Sequence, residues 1–277
     1  MFKVSLFLLL AEEKVFFTWR IKLNAVKHPF SFDRYSYNSH SLESLMRLVT
    51  WNAGRGKFAK KAPLLAGMGA DITVIPEIAK PELTNEHCLW FGTNPNQGIA
   101  ITSSPSYTLT PLPEKVGAPK YVIPIRVDGP ISFTLFAVWT IQKQKMRYIR
   151  AVATNIDMYP EIFDQGHVVM MGDFNSNMIW DKKKPNYLNH SSVVERLADR
   201  GIVSAYHHVR GEPQGKENEA TFYLHHDASK PFHIDYCFLP KDWAEQISLV
   251  EVGTFQEWKG YSDHRPLLVE IMGDGLK

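Results

Sequence analysis

Val168-Val169-Met170-Met171-Gly172-Asp173-Phe174-Asn175 is the stretch on which the reading of this chain turns. Four apolar residues follow one another without alternation, and a glycine, a carboxylate and an amide come directly after. A short unbroken apolar run bounded by turn residues is the pattern of a strand buried on both faces, because a strand with one wet face would alternate. Val168–Gly172 is therefore predicted as a buried strand. The loop after it presents Asp173 and Asn175, short polar side chains suited to chemistry as well as to an ordinary Asx turn.

The same grammar recurs on either side. Arg47-Leu48-Val49-Thr50-Trp51 reads as a strand ending at Asn52, and Ile72–Pro76 as a buried strand ending at Glu77. Gly98–Thr102 and Tyr121–Val127 are strand-like runs bounded by Pro and Gly, and Ile131–Ile141 is a longer β-rich run. Ala220–Leu224, His233–Leu239, Ile247–Val252 and Pro266–Met272 extend the pattern to the C-terminus. Helical spacing is rarer. Phe58–Met68 sets Leu64, Leu65 and Met68 on one side, leaves Lys57, Lys60 and Lys61 to solvent, and stops at Gly69. Arg147–Tyr159 aligns Ile149, Val152, Ala153 and Ile156. Val193–Arg200 has Ser191 or Ser192 as its N-cap and Gly201 after its end. Many strands with few helices predict an α/β sandwich, two mixed sheets packed together with helices outside.

At 277 residues the chain suits one two-sheet domain with an appendage. Residues 1–45 are expected to be an N-terminal extension, since Pro29–Leu45 is rich in Ser, Tyr, Phe and His without periodicity, and 46–277 to be the domain. The 44% hydrophobic content exceeds what a disordered chain carries and supplies a core. A balance of 31 basic to 29 acidic residues is too even to diagnose a polyanion partner, so charge asymmetry must be local. Cys88 and Cys237 match no metal spacing or disulfide framework and fit a reducing compartment. Met1–Ala11 faintly resembles a signal peptide, but Glu12 and Glu13 stand where a small-residue cleavage site belongs. Without a long apolar run, no stable membrane association is expected. The expectation is a cytoplasmic monomer.

Five clusters close these strands or sit within them: Trp51-Asn52, Pro76-Glu77, Gly172-Asp173-Phe174-Asn175, His233-Ile234-Asp235-Tyr236 and Ser262-Asp263-His264. Singly, each is an ordinary turn or solvated group. In this order, joined by Gly98-Ile99-Ala100-Ile101, Thr221-Phe222 and Arg265-Pro266-Leu267, they resemble the endonuclease/exonuclease/phosphatase superfamily, the group of deoxyribonuclease I, apurinic endonucleases, sphingomyelinases and inositol-polyphosphate 5-phosphatases. The resemblance spans nearly all of Met46–Met272. It implies a four-layer α/β sandwich of the deoxyribonuclease I-like kind and a divalent-metal-dependent phosphoester hydrolase.

Such hydrolysis needs an in-line water, a cation on the phosphoryl oxygens and help for the leaving oxygen. Glu77 can bind a hard cation, Mg²⁺ or Mn²⁺, through carboxylate oxygen, and Asn52 and Asn175 can orient phosphate or metal without adding charge. By resemblance, Asp173 activates the water, Asp263 supports the metal region, and Asp235 fixes the tautomer of His264 and favours its imidazolium. Many members carry Thr-His-Leu at the end of the middle strand, where this chain has Phe136-Ala137-Val138-Trp139-Thr140. Trp139 has only an indole donor and cannot replace a proton-transferring His. Tyr148 is a candidate substitute, although its helical position also suits packing. His190 is a candidate substrate contact, whereas His207-His208 and His225-His226 read as loop or surface residues. Lys143, Lys145, Arg147 and Arg150 beside Trp139 and Tyr148, and Lys182-Lys183-Lys184 after Trp180, would grip a polyanion while the aromatics stack on bases. Gly54-Arg55-Gly56-Lys57 lacks the spacing of a nucleotide P-loop. The expected substrate is nucleic acid, cut by a phosphodiesterase. A phosphomonoesterase on a small phosphorylated compound is the alternative, followed by a non-catalytic phosphate- or nucleic-acid-binding module.

Overall fold

A computed structural model describes residues 45–142, 146–181, 188–273 and 276. The extension up to residue 44, Lys143, Lys145 and Lys182-Lys183-Lys184 lie outside the described residues. In chain order the strands are β1 (Leu45–Thr50), β2 (Ile72–Ile78), β3 (Cys88–Asn94), β4 (Gln97–Ser103), β5 (Thr108–Pro111), β6 (Val122–Asp128), β7 (Phe133–Trp139), β8 (Val168–Asp173), β9 (Ile202–Ser204), β10 (Phe222–Tyr223), β11 (Pro231–Phe232), β12 (Asp235–Pro240), β13 (Ile247–Val252) and β14 (Leu267–Met272). The helices are α1 (Phe58–Gly67), α2 (Ile149–Met158), α3 (Pro160–Gln165), α4 (His190–Ala198), α5 (Ala205–Arg210), α6 (Lys241–Ala244) and α7 (Phe255–Trp258).

Two six-stranded sheets result, ordered β13-β14-β1-β2-β4-β3 and β5-β6-β7-β8-β12-β9, and each is mixed. Within each, one central pair is parallel, β1 with β2 and β7 with β8, and the other pairs are antiparallel. Alternate side chains explain the layers. Leu48, Val74, Leu135, Ala137, Val169, Met171, Val269 and Ile271 point between the sheets and form the central core. Val49 and Ile75 face outward against Leu64, Leu65 and Trp258 of α1 and α7. On the other side, Phe136, Val138, Val168 and Met170 pack on Val152 and Ile156 of α2, Phe163 of α3, and Val193 and Leu197 of α4. Burial of such a side chain contributes roughly 1.5–3 kcal/mol, so strands covered on both faces supply most of the driving force. The sandwich of four layers expected from the sequence is the fold found.

Some boundaries differ. Strands expected over Ala220–Leu224 and His233–Leu239 are shorter at their starts, because the Thr221 hydroxyl accepts the Ile234 and Asp235 N–H groups at 2.9 and 3.0 Å and replaces ladder partners there. The N-cap of α4 is Asn189 rather than Ser191 or Ser192: its Oδ1 accepts the Ser192 N–H at 2.9 Å and starts the helix at His190. Of the helix expected over Arg147–Tyr159, α2 keeps only Ile149–Met158, because Tyr148 has a left-handed φ of 52°.

The parallel pairs position the site. Since β1 and β2 run together, Asn52 and Glu77 emerge at the same sheet edge, and since β7 and β8 do, so do Thr140 and Asn175. Antiparallel β12 begins at that edge, with Asp235 opposite Asp173, and β14 begins there just after His264. At Gly172 the two neighbours come so close that an added Cβ would lie 1.9 Å from the Val138 carbonyl oxygen, at a φ of +143°. Gly172→Ala is expected to lower stability by about 3 kcal/mol through overlap and backbone strain, read as a fall in the denaturant midpoint at unchanged slope.

Candidate active site

Asp173 is the hub. Its carboxylate is fully buried, yet three N–H donors reach it. Asn175 donates its backbone N–H to Oδ1 and its side-chain amide to Oδ2, both at 2.8 Å, and Asn52 donates Nδ2–H to Oδ2 at 2.9 Å. Asn175 adopts a φ of +45°, a conformation that Asn tolerates better than most residues, and this turns its side chain back over Asp173. Its amide also donates to the Thr140 carbonyl at 2.9 Å, tying the ends of β7 and β8 together. Burial pushes the Asp173 carboxyl up, and Asp235 adds to this, while His264 and the amide donors pull it down; the result is about 8.

His264 faces Asp173 from β14's approach. Its Nδ1 is 2.8 Å from Asp235 Oδ2 and its Nε2 is 4.0 Å from Asp173 Oδ2. Burial depresses imidazolium, but the flanking carboxylates of Asp235 and Asp173 outweigh it and raise the group to about 9. A set of oxygens and Ser262 hold the ring's backbone: Ser262 Oγ donates to the Asn52 carbonyl at 2.8 Å and accepts the His264 N–H at 3.0 Å. Arg265, fully buried, donates to the carbonyls of Ser262 and His264 at 2.8 and 2.9 Å and packs against the rings of Tyr223 and Phe255, which touch each other. The ring of Phe222 packs against His264 at 4.6 Å between centroids.

A pH dependence of stability follows for the metal-free protein. With its folded value raised from 6.5 to about 9, His264 stabilises the fold fully below about pH 6.5 and loses that contribution as pH rises through 9. The raised carboxyl of Asp173 acts in the same sense over a lower range, from its usual 3.8 to about 8. His190 and His233 are depressed and act oppositely, but only below about 6.5, and buried Cys237, pushed up to about 12, counts only in more alkaline solution. The melting temperature in chelator is therefore expected to fall as pH rises from 6.5 to 9. A flat melting temperature across that range would contradict the charged pair.

Glu77 borders the open side. It sits in a β2 bulge at a φ of +58°, which a non-glycine residue adopts at a cost, and the register with β4 shifts there. Its Oε1 lies 3.4 Å from Asn52 Nδ2, Gln97 donates to Oε2 at 3.1 Å, and the exposed guanidinium of Arg55 stands 3.7 Å from Oε2. Asn52 thus links Glu77 to Asp173, and its own Oδ1 accepts the Gly54 N–H at 2.9 Å. Asp263 is half-buried beside Gly54, with its Oδ1 3.4 Å from Ser262 Oγ. Ligand atoms of Asp173, Asp235 and His264 lie within 4.8 Å of one another, a second arrangement that could hold a metal. Hard cations keep water and carboxylate oxygens. The half-open Glu77 side offers both, whereas the enclosed triad would set an imidazolium beside the ion.

The structure brings Asn52, Glu77, Asp173, Asn175, Asp235, Asp263 and His264 to one edge, and separates the proposed substrate contacts. Trp139 is corrected: it is 3% exposed, its ring lies in the core between the sheets, 4.8 Å from that of Tyr121, and it cannot stack on substrate. Its inward direction follows from the alternation of β7, which puts Leu135 and Ala137 on the same face. His190 is corrected too: it is 1% exposed, with Ser176 and Gln214 at its two ring nitrogens, and burial pulls it down to about 4. Tyr148 and Trp180 are exposed. Sequence reasoning missed Gln97, which appears only as a polar strand residue, and the buried Arg265. It also placed His207 at the surface, although its Nε2 pairs with the nearly buried Glu217 at 3.0 Å.

The two packed sheets with outer helices form a deoxyribonuclease I-like α/β sandwich. Among solved structures it is similar to a 3'-5' exonuclease, NExo, from Neisseria meningitidis, with 19% identity, a TM-score of 0.59 and coverage of 82% of this chain and 99% of that one. The same Neisseria protein is described elsewhere as a 3' phosphatase bound to a product DNA hairpin. An apurinic endonuclease from Archaeoglobus fulgidus gives 16% identity and a TM-score of 0.56 over 81% of this chain and 98% of that one. The endonuclease domain of TRAS1, a telomere-specific non-LTR retrotransposon, gives 16% and 0.56 over 82% and 98%. No protein-family model matches the sequence, and no curated protein does.

Proposed function

We propose that this chain is a divalent-metal-dependent phosphodiesterase that hydrolyses nucleic acid. The observation that carries the proposal is the Asn52 amide joining Asp173 to Glu77, opposite a histidine paired with Asp235. The donor set fits a hard cation: Glu77 offers carboxylate oxygen on the half-open side with Asp263 nearby, whereas Asn52 is buried, with its Oδ1 on the Gly54 N–H and its amide N–H turned to Glu77 and Asp173. Glu77 and Asp263 would hold Mg²⁺ or Mn²⁺, which when bound would supply positive charge to the phosphoryl and leaving oxygens. Asp173, held by three N–H donors, orients and deprotonates the attacking water. Burial beside Asp235 raises this carboxyl and with it the basicity of its ionised form, the direction a general base needs. His264, kept protonated by Asp235, donates to phosphoryl oxygen. Asn175 and Asn52 fix the phosphate's approach without adding negative charge. Neither Trp139 nor His190 takes part.

The test is hydrolysis of plasmid, abasic duplex, single-stranded DNA and RNA in Mg²⁺, Mn²⁺ or chelator; inactivity on all of them with either metal would reject the proposal. The alternative, a phosphomonoesterase, has one support: a structural neighbour is described as a 3' phosphatase. Phosphate release from 3'-phosphorylated oligonucleotides and small phosphate esters separates the two. No helix among the described residues is long and apolar enough to cross a membrane. We also propose that residues 1–45 are dispensable for this chemistry, since Met46 is already fully buried in the core opposite Ile271. A chain starting at Met46 is expected to keep metal-stimulated activity, and an insoluble or inactive product would show that the extension is part of the fold.

A further inference from the structure

Three rings lead from the candidate catalytic imidazole to the surface. Phe222 packs on His264 at 4.6 Å between centroids, Phe232 follows Phe222 at 6.3 Å, and Trp180 follows Phe232 at 5.3 Å. Exposure grows along the strip: His264 is 5% exposed, the two phenylalanines are partly covered, and Trp180 is 50% exposed. The strip is fixed to the catalytic loop. Phe222 and Phe232 are partners across β10 and β11, Phe222 bridges to His264, and the Tyr223 N–H donates to the Asp263 carbonyl at 2.9 Å. Trp180 is equally anchored, because the Asn177 side chain accepts the Ile179 N–H at 3.0 Å and donates to the His233 carbonyl at 2.9 Å. A cleft of about 160 Å³ opens beside it, lined by Asn177, Ile179, Glu217, Asn218, Phe232 and His233 among others.

Resting on the phosphodiesterase reading above, we infer that this strip selects nucleic acid with unpaired bases, Trp180 stacking on a base near the scissile phosphate. In a duplex each base face is covered by its neighbours, so an indole fixed at the rim gains no face without first unstacking a pair. A single strand offers free faces at far lower cost, and base-on-aromatic stacking is tolerant of sequence. Trp180 meets Phe232 at a 40° tilt, and its half-exposed remainder is free for such a base. An indole serving only to cover Phe232 would contribute to stability and not to strand choice.

The experiment measures binding of the full chain in chelator, so that no turnover intervenes, to a short fluorescein-labelled single strand and to the blunt duplex of the same sequence. The wild type is expected to prefer the single strand. Trp180→Ala is expected to weaken single-strand binding by about 5- to 100-fold and duplex binding by less than about 2-fold, while Trp180→Phe retains most of the preference. Equal loss on both ligands, or no loss on the single strand with the melting temperature unchanged, would overturn the inference. So would a wild type without preference. Metal-dependent hydrolysis by the wild type is scored separately: its presence with an unaffected Trp180→Ala preference sinks the strip alone, and its absence with the preference intact sinks the hydrolase reading alone.

Discussion

Asp173→Asn is expected to lower metal-dependent turnover by about 10²- to 10⁴-fold, the usual loss when a proton-transfer group is removed. The choice of variant matters because this carboxylate is fully buried and accepts from Asn52 and from both donors of Asn175. An asparagine keeps the shape but turns one acceptor into a donor, which must then face an N–H group, a penalty of about 1–3 kcal/mol. Against that, the variant no longer buries a charge beside Asp235, the repulsion and desolvation that push Asp173 up to about 8. The two effects oppose each other, so the melting temperature is expected to change little while turnover collapses. His264→Ala is a poorer probe. It leaves the Asp235 carboxylate buried with neither oxygen paired, since Oδ1 already has no partner, and breaking such a pair typically costs about 3–5 kcal/mol. Steady-state rates with circular dichroism melts for both variants separate lost chemistry from lost fold. Full activity in Asp173→Asn would remove it from the mechanism.

The sequence disclosed this site well where a backbone edge and a residue type coincide. Asn52 and Glu77 each stand at the end of a strand-like run, Asp173 and Asn175 stand in the Gly-Asp-Phe-Asn segment that closes another, and two parallel pairs then place these strand ends side by side, so motif order was enough. What stayed hidden depends on three-dimensional direction. Trp139 also ends a strand, but β7 has both faces buried, and nothing in Phe136-Ala137-Val138-Trp139 says which way the indole points. His190 follows a capping Asn and precedes two serines, a surface-like context, yet α4 turns it under the Asn177 loop. Edge strands were missed for a related reason: Cys88–Asn94 and Thr108–Pro111 are only half covered or mostly exposed, so they lack the unbroken apolar run that marks central strands. The role of Arg265 was also out of reach, because the packing of its guanidinium on Tyr223 and Phe255 brings together residues from three separate elements.

Mg²⁺ or Mn²⁺ is expected to raise the melting temperature, and Glu77→Ala to abolish most of that rise. A ligand that binds only the folded state stabilises it by mass action, about 2.7 kcal/mol at a hundredfold excess over its dissociation constant. For a domain of this size each kcal/mol moves the midpoint by roughly 2–4 °C, so a shift on the order of 5–10 °C is within reach of a simple thermal scan. Glu77 is the residue to remove because its carboxylate stands at the half-open side and is held in a left-handed bulge that a structural role alone would not require. Substitution frees Gln97 and Arg55, but Arg55 is 72% exposed at its side chain and rehydrates, so the metal-free protein should melt close to the wild type. Glu77→Gln serves as the shape-preserving control and should weaken activation by metal while retaining the bulge. If the wild type melted at the same temperature with and without either metal, yet bound phosphate or nucleic acid and turned nothing over, the retained carboxylates would belong to a binding module. A metal shift unaffected by Glu77→Ala would instead move the ion to the enclosed Asp173, Asp235 and His264 group, where Asp235→Asn would be the variant that removes it.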